Sequence, residues 1–164
     1  MLAEYPLNTA AEVAYAREWW DKRNPAFADF SALGGDCTSF VSQCIYAGGA
    51  VMNYTRDLGW YYRSLGDRSA AWAGVEYFYR FITRNRGAGP FGREIPVSKA
   101  EAGDVIQLCT GSGCYHSLFV LYANSGEPFI AAHSYDAYER PLSSYDYTYA
   151  RCLRIRSARR YVSR

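Results

Sequence analysis

The order of apolar periodicities along the chain limits the possible folds more than any other feature of the sequence. In the first half, apolar residues recur at helical spacing in three segments, which Thr9, Cys37 and Ser69 begin. In the second half, short apolar runs separated by turn residues predict four strands at residues 105–108, 117–122, 129–132 and 152–155. Helices followed by strands with short connections predict an α+β fold whose strands pair antiparallel.

The ends of the three helices are marked by capping and stop signals. Thr9 to Glu12 is a capping-box pattern, and Asn24-Pro25 is expected to end the first helix. Gly48-Gly49 is a C-terminal stop for the second helix. The third helix is expected to run from Ser69 to Ile82, and residues 84–96 are expected to form a connector.

Composition limits the class of protein. With 164 residues, 49% hydrophobic and 21% charged, the chain is expected to form one domain over residues 1–164. The net charge of +2 is too small to indicate nucleic-acid binding. No apolar run reaches transmembrane length, and residues 1–4 do not resemble a signal peptide. We therefore expect a cytoplasmic protein, or a domain of a longer exported one.

The segment from Gly34 to Gln43 passes from a small-residue loop into the second helix. Asp36 is a good N-cap, which places Cys37 in the first helical turn. A helix N-terminus lowers the pKa of a thiol, so the position suits a thiolate nucleophile. The alternative is a small buried cysteine without a chemical role.

The chain has two histidines, and both adjoin predicted strands. His116 precedes the strand at 117–122, and His133 follows the strand at 129–132. Because a turn at residues 124–126 joins these strands, antiparallel pairing is expected to bring both histidines to one edge of the sheet. If the helix of Cys37 begins at that edge, nucleophile, base and orienting group meet as in a cysteine hydrolase.

Residues Asp36 to Gln43, followed by Ala47-Gly48-Gly49, resemble the bacterial "putative amidase domain" family. That family belongs to the papain-like group, together with the NlpC/P60 and CHAP peptidoglycan hydrolases. The similarity continues through residues 103–107, ahead of His116-Ser117, and covers most of the chain. One departure is Ser39, where the family more often has Asn; a structural role is expected for this residue.

The resemblance implies a papain-like fold in which N-terminal helices pack on a small antiparallel sheet. It also implies a Cys37 nucleophile, His116 as general base and a polar residue of the next strand as third member. For that third position we favour His133 over the alternative Asp136, which lies in an expected loop. The implied reaction is amide hydrolysis through a thioester, without a cofactor, on a peptide or peptidoglycan fragment. Family resemblance then favours an extracellular or cell-envelope location.

Three residues are candidates for substrate binding. Trp60 and Tyr61 lie in an aromatic segment at residues 52–66 that is expected to form one wall of a cleft, and Asp36 adjoins the nucleophile. The alternative is a loop folded onto the core by its own side chains.

Two non-catalytic alternatives remain. Cys109, Cys114, His116 and His133 offer zinc-ligand atoms, although their spacing is unusual for structural zinc. The second alternative is a degenerate domain that only binds cell-wall peptide or glycan through its tyrosines. Because turn residues separate Cys109 from Cys114, we expect these two cysteines to be close, oxidised in an oxidising compartment and reduced in the cytosol.

Overall fold

The computed structural model describes residues 1–164 and contains four helices, a seven-stranded sheet and a small hairpin. The helices are α1 (Thr9–Trp19), α2 (Cys37–Ala47), α3 (Ala70–Ala73) and α4 (Val75–Arg84). The hairpin consists of β2 (Tyr62–Ser64) and β3 (Asp67–Arg68). The sheet consists of β1 (Leu2–Pro6), β4 (Gly89–Ile95), β5 (Val105–Thr110), β6 (Gly113–Asn124), β7 (Glu127–Ala132), β8 (Ala137–Pro141) and β9 (Tyr149–Tyr161).

The sheet is antiparallel throughout, as the sequence predicts. Paired strands follow the path β1-β9-β5-β6-β7-β8. β1 and β5 pair with different parts of the same edge of the long strand β9, and β4 pairs with the opposite edge of β9. The four predicted strands lie within β5, β6, β7 and β9. The connector expected at residues 84–96 is wrong, because it contains β4, which pairs with β9 along most of its length.

Two helix predictions need correction. The first helix ends at Trp19 rather than near Asn24, and its cap is Asn8, whose side chain accepts a hydrogen bond from Ala11 N–H. The expected third helix is interrupted at Gly74, which has an extended backbone and separates α3 from α4. The stop at Gly48-Gly49 is confirmed, since α2 ends at Ala47.

Apolar side chains fill both faces of the sheet. One face packs against the helices and includes Phe40 of α2 and Phe119 of β6. The other includes Ile106 and Leu118 and is covered by the segments at residues 97–100 and 142–145. The central strands are therefore buried on both sides, and their sequences do not alternate between apolar and polar residues.

Glu12 is a fully buried carboxyl group whose two oxygens have no hydrogen-bond partner. It lies against the C-terminus of α2, where a Cβ on Gly48 would come within 2.5 Å of its Cγ, so any larger residue at position 48 would displace the Glu12 side chain. Burial, and to a lesser extent the negative charge of Asp104, raise the pKa of Glu12 from 4.5 to about 9. The carboxyl group is thus protonated at neutral pH and does not complete a capping box.

We expect Glu12→Gln to stabilise the protein at neutral and alkaline pH. Because folding raises the pKa of Glu12, its contribution to the free energy of unfolding is complete below pH 4.5 and is lost as pH rises toward 9. At pH 7 the neutral amide should add about 3 kcal/mol to the free energy of unfolding. Urea unfolding at pH 5 and pH 8 measures the effect. Glu18→Gln, on the exposed side of the same helix, is the control, and an equal gain there would contradict the assignment.

Candidate active site

Cys37 is the first residue of α2 and lies in the wall of a cavity of about 610 Å³. His116 of β6 lines the same cavity. The structure therefore brings together the two residues that the sequence predicts as nucleophile and base. The polar and aromatic residues around them include Arg23, Tyr115, Ser134, Tyr135, Arg140 and Tyr145.

Buried hydrogen bonds hold the start of α2 against β6. The hydroxyl groups of Thr38 and Ser117 are 2.9 Å apart, and Gln107 Nε2 donates to Ser117 Oγ at 3.2 Å. The backbone N–H of Ser117 donates to the sulfur of Cys37. The thiol is thus fixed beside the strand that carries His116. Ser39 has the structural role expected of it, because its hydroxyl accepts hydrogen bonds from Gln43 and Trp72.

His116 lies on the face of the sheet away from the helices. It is opposite Leu108 of β5, and its ring centroid is 6.1 Å from that of Tyr145. The imidazole is buried but makes no side-chain hydrogen bond within the protein. Its nitrogens are therefore left without a partner beside the cavity that Cys37 also lines.

Burial keeps both members of this pair uncharged. It raises the pKa of the Cys37 thiol, although hydrogen bonds from Ser117 and Thr38 partly oppose the effect. Burial and, to a lesser extent, the positive charge of Arg140 lower the pKa of His116 to about 4. The resting pair is a thiol and a neutral imidazole, not the thiolate expected from the position of Cys37 at a helix N-terminus.

His133 does not contact His116 as expected. Its Nδ1 is 2.6 Å from Asp36 Oδ2, and its Nε2 donates to the Trp19 carbonyl at 2.7 Å. The ring stacks on Phe40, with centroids 4.0 Å apart. With both nitrogens occupied, His133 connects the end of β7 to α1 and to the residue before Cys37.

The pleat of the sheet explains why the two histidines are separated. Side chains of successive strand residues point to opposite faces. His116 points in the same direction as Leu118, away from the helices, whereas His133 follows Ala131 toward them. The histidines lie near one end of the sheet, as the hairpin predicts, but on opposite sides of it.

Asp136, the alternative third member, pairs with Arg23 and makes no hydrogen bond with His116. Its two carboxylate oxygens accept hydrogen bonds from Arg23 at 3.0 and 3.2 Å. Arg23 also lies 3.6 Å from Asp36 and 3.5 Å from Asp29. Neither candidate for the third position therefore orients His116 by a direct hydrogen bond.

The three predicted substrate-binding residues do not line this cavity. Trp60 is fully buried in the core, where its indole N–H donates to Ser42 Oγ at 3.0 Å. Tyr61 is also buried, and its segment borders a separate cavity of about 460 Å³ together with α4. Asp36 is buried beside His133 and Phe30, and its Oδ1 accepts a hydrogen bond from the Phe30 N–H at 2.9 Å. The segment at residues 52–66 therefore forms no wall of the cavity of Cys37 and His116, and Trp60 and Tyr61 pack into the core as the loop interpretation expects.

The residues that sequence reasoning missed lie after His133. Ser134 accepts a hydrogen bond from Asp36 N–H at 2.9 Å, and Arg140 and Tyr145 complete the wall on the side of His116. Ser134 and Tyr135 both have left-handed backbone conformations, which turn the chain sharply after β7. No motif or spacing marks these residues. Only the tyrosine- and arginine-rich composition of the segment distinguishes them.

Cys109 and Cys114 form a disulfide across the β5–β6 hairpin, just before His116. Their expected proximity is confirmed, and the oxidised alternative is the one present. The disulfide takes up both of these sulfurs, and the two ring nitrogens of His133 contact Asp36 and the Trp19 carbonyl. The four candidate zinc ligands therefore do not converge on one site. Cys37, Cys44 and Cys152 are free and buried.

Reduction of the native protein should add two hydrogens, and peptide mapping should place them at Cys109 and Cys114. Replacing both with serine should lower the free energy of unfolding by about 2 kcal/mol, because the short loop is then no longer closed. Intact-mass measurement and urea unfolding test the two statements. A mass gain that maps to Cys37, Cys44 or Cys152 would contradict the pairing.

The fold and the site together define an α+β protein in which one cavity is lined by a helix-terminal thiol and a strand-borne imidazole. Residues 6–156 match the model of the family described as "Putative amidase domain", and the chain belongs to this family. The family description indicates amide hydrolysis.

One curated relative is the "Uncharacterized protein YhbB" of Bacillus subtilis (strain 168), which is 36% identical over 144 residues. The match covers 83% of this chain and 44% of the relative, so the chain spans less than half of that protein's length. No solved structure matches the chain. None of its helices has both the length and the apolar composition needed to cross a membrane.

Proposed function

We propose that residues 1–164 form a papain-like cysteine amidase, related to the NlpC/P60 and CHAP hydrolases, that cleaves peptide or peptidoglycan stem-peptide amides. The observation that carries this proposal is the shared cavity of Cys37 and His116, one at a helix N-terminus and the other on the adjacent strand. Membership of the amidase family supports the same chemistry.

In the proposed reaction, the sulfur of Cys37 attacks the amide carbonyl carbon while its proton passes to His116. The backbone N–H of Cys37, one of the free donors at the start of α2, stabilises the developing oxyanion. The C–N bond then breaks, and His116 returns the proton to the leaving amine, which leaves a thioester on Cys37. Water, deprotonated by His116, hydrolyses the thioester and restores the thiol.

His133 has a positioning role in this proposal. The carboxylate of Asp36 lies 2.6 Å from His133 Nδ1 and accepts a hydrogen bond from Phe30 N–H, and the N–H of Asp36 donates to Ser134 Oγ. These contacts hold the residue immediately before Cys37 against the end of β7. His133 therefore acts on the nucleophile through Asp36, without touching His116.

The resting thiol should react slowly with iodoacetamide at neutral pH. Because burial raises the pKa of Cys37, its alkylation rate at pH 7 should be below that of free cysteine and should still be rising at pH 9. Mass spectrometry of the labelled protein measures the rate, with Cys37→Ala as the background. A fast rate that is constant across acidic pH would instead indicate a preformed thiolate–imidazolium pair.

The function itself is tested by incubating the protein with purified muropeptides and identifying products by mass spectrometry. Products shortened at one peptide bond, with one water added, are expected from the wild type and not from Cys37→Ala. Binding of muropeptides without any cleavage would favour the non-catalytic alternative. Cleavage that continues in Cys37→Ala would exclude the thioester mechanism.

A further inference from the structure

A row of polar side chains crosses the sheet beside the start of α2. Gln107 of β5 lies opposite Ser117 of β6 on one side and opposite Arg151 of β9 on the other. The row continues to Thr38 of α2, whose hydroxyl oxygen is 2.9 Å from that of Ser117. Gln107, Ser117 and Thr38 are fully buried, and none of them lines the active-site cavity. Buried polar groups have to satisfy one another, so the direction of each hydrogen bond in this row matters.

Arg151 fixes the orientation of the Gln107 amide group. Its Nε donates to Gln107 Oε1 at 2.9 Å, and because a guanidinium has no acceptor, that atom must be the amide oxygen. The amide nitrogen faces the other way, where it donates to the Val75 carbonyl at 3.0 Å and to Ser117 Oγ at 3.2 Å. Arg151 is itself held by Glu76, with 3.2 Å between Nη2 and Oε2. Both amide protons are therefore used, and the group has one orientation.

The orientation of Gln107 determines where the Ser117 hydroxyl proton points. Because Ser117 Oγ accepts from Gln107, its own proton is available for Thr38 Oγ1. Thr38 accepts this proton and donates its own toward Cys37 Sγ, which lies 3.8 Å from Thr38 Oγ1. The backbone N–H of Ser117 donates to the same sulfur. The row thus ends at the atom that becomes negatively charged when the thiol loses its proton.

We propose that Gln107 is a positioning residue that keeps this row of donors directed at the sulfur of Cys37. The inference rests on the proposed role of Cys37 as nucleophile and adds a residue that prepares it for reaction. A hydrogen bond to the charged form of a group favours that form, and hydrogen bonds that follow one another in one direction strengthen each other. The row therefore stabilises the thiolate as His116 takes the proton, and Gln107 acts without touching the substrate.

The other titratable groups around the Cys37 sulfur are unchanged by a substitution at Gln107. Burial is the main cause of the raised pKa of the thiol, and the negative charge of Asp36 adds to it. The remaining groups line the cavity with Cys37 and are Arg23, Tyr115, His116, Tyr135, Arg140 and Tyr145. A change in thiol ionisation on substitution of Gln107 is therefore assigned to the row of donors.

Gln107→Glu tests the orientation, because glutamate has the shape of glutamine but no donor. It keeps the contact with Arg151 and turns the Ser117 proton toward itself, away from Thr38. The thiolate fraction of Cys37 at pH 8 should then fall about tenfold. Labelling with iodoacetamide, followed by peptide mass spectrometry, should slow by about threefold, since the more basic thiolate is the better nucleophile. With muropeptides, kcat should fall while KM stays unchanged, because Gln107 does not line the cavity.

Gln43→Glu is the matched control. Gln43 is also a buried glutamine that donates to a serine hydroxyl, that of Ser39, at 3.1 Å, but its hydrogen bonds do not lead to the sulfur. The control should leave the labelling rate of Cys37 unchanged. A second variant, Ser117→Ala, removes the hydroxyl through which Gln107 acts and keeps the backbone N–H. It should slow labelling in the same direction, and it decides the question if Gln107→Glu does not fold.

An unchanged labelling rate in folded Gln107→Glu or in Ser117→Ala would overturn the positioning role, as would an equal loss in Gln43→Glu. The labelling experiment does not depend on turnover. Slower labelling of Gln107→Glu, together with a wild type that cleaves no muropeptide, would instead overturn the amidase function and leave the row of donors intact.

Discussion

Cys37→Ala should lower kcat/KM for amide cleavage by roughly 10⁴-fold or more, because the covalent step then has no nucleophile. The substitution removes one sulfur from a buried position and should leave the fold intact. The thiol accepts a hydrogen bond from Ser117 N–H, and the loss of this bond should cost about 1 kcal/mol. Activity should therefore disappear from a protein that still unfolds cooperatively near the wild-type midpoint.

Cys152→Ala is the matched control. Cys152 is also a free, buried thiol, but it lies in the core on the face of the sheet away from the helices. Its replacement should lower stability through the cavity it creates and leave kcat of the folded protein unchanged. Cys37→Ser separates nucleophilicity from shape, and it should be nearly as inactive as Cys37→Ala. Substantial cleavage by Cys37→Ala would remove Cys37 from the reaction.

Sequence periodicity was sufficient for the main elements of the fold but not for its edges. The strands β5, β6 and β7 carry short, mostly apolar runs between clear turns, and these runs predict them. β4 contains Gly89, Pro90 and Gly92, which are the residues that usually mark a loop. It forms a strand because it pairs with β9, and no local pattern reports a long-range pairing of that kind.

The same limit applies to the site. The sequence predicts the place of Cys37 from the start of α2, although the side chain of Asp36 makes no capping hydrogen bond. His116 is predicted just before a strand, whereas it lies inside β6, which begins at Gly113. The contact of His133 was predicted wrongly, since a strand that is buried on both faces does not show which face its last residue joins. Arg140 and Tyr145 reach the cavity only through the turn after β7 and the short helical segment at residues 142–144.

His133→Ala should destabilise the protein by about 3 kcal/mol or more, which is a large part of the stability of a domain of this size. The ring is buried, stacks on Phe40, and makes two short hydrogen bonds, to Asp36 and to the Trp19 carbonyl. Its loss leaves the carboxylate of Asp36 buried with fewer partners. Asp136→Ala breaks a partly exposed pair with Arg23 and should cost about 1 kcal/mol or less.

The activity of His133→Ala distinguishes positioning from direct orientation of His116. If His133 holds Cys37 through Asp36, kcat of the folded variant should fall while the acidic limb of kcat/KM, set by His116, keeps its wild-type midpoint. A direct partner of His116 would shift that midpoint when removed. Asp36→Asn should reproduce the stability loss, and the double variant should lose less than the sum of the two, because both substitutions break the same contact. Additive losses, or a shifted acidic limb, would return His133 to the role of third catalytic member.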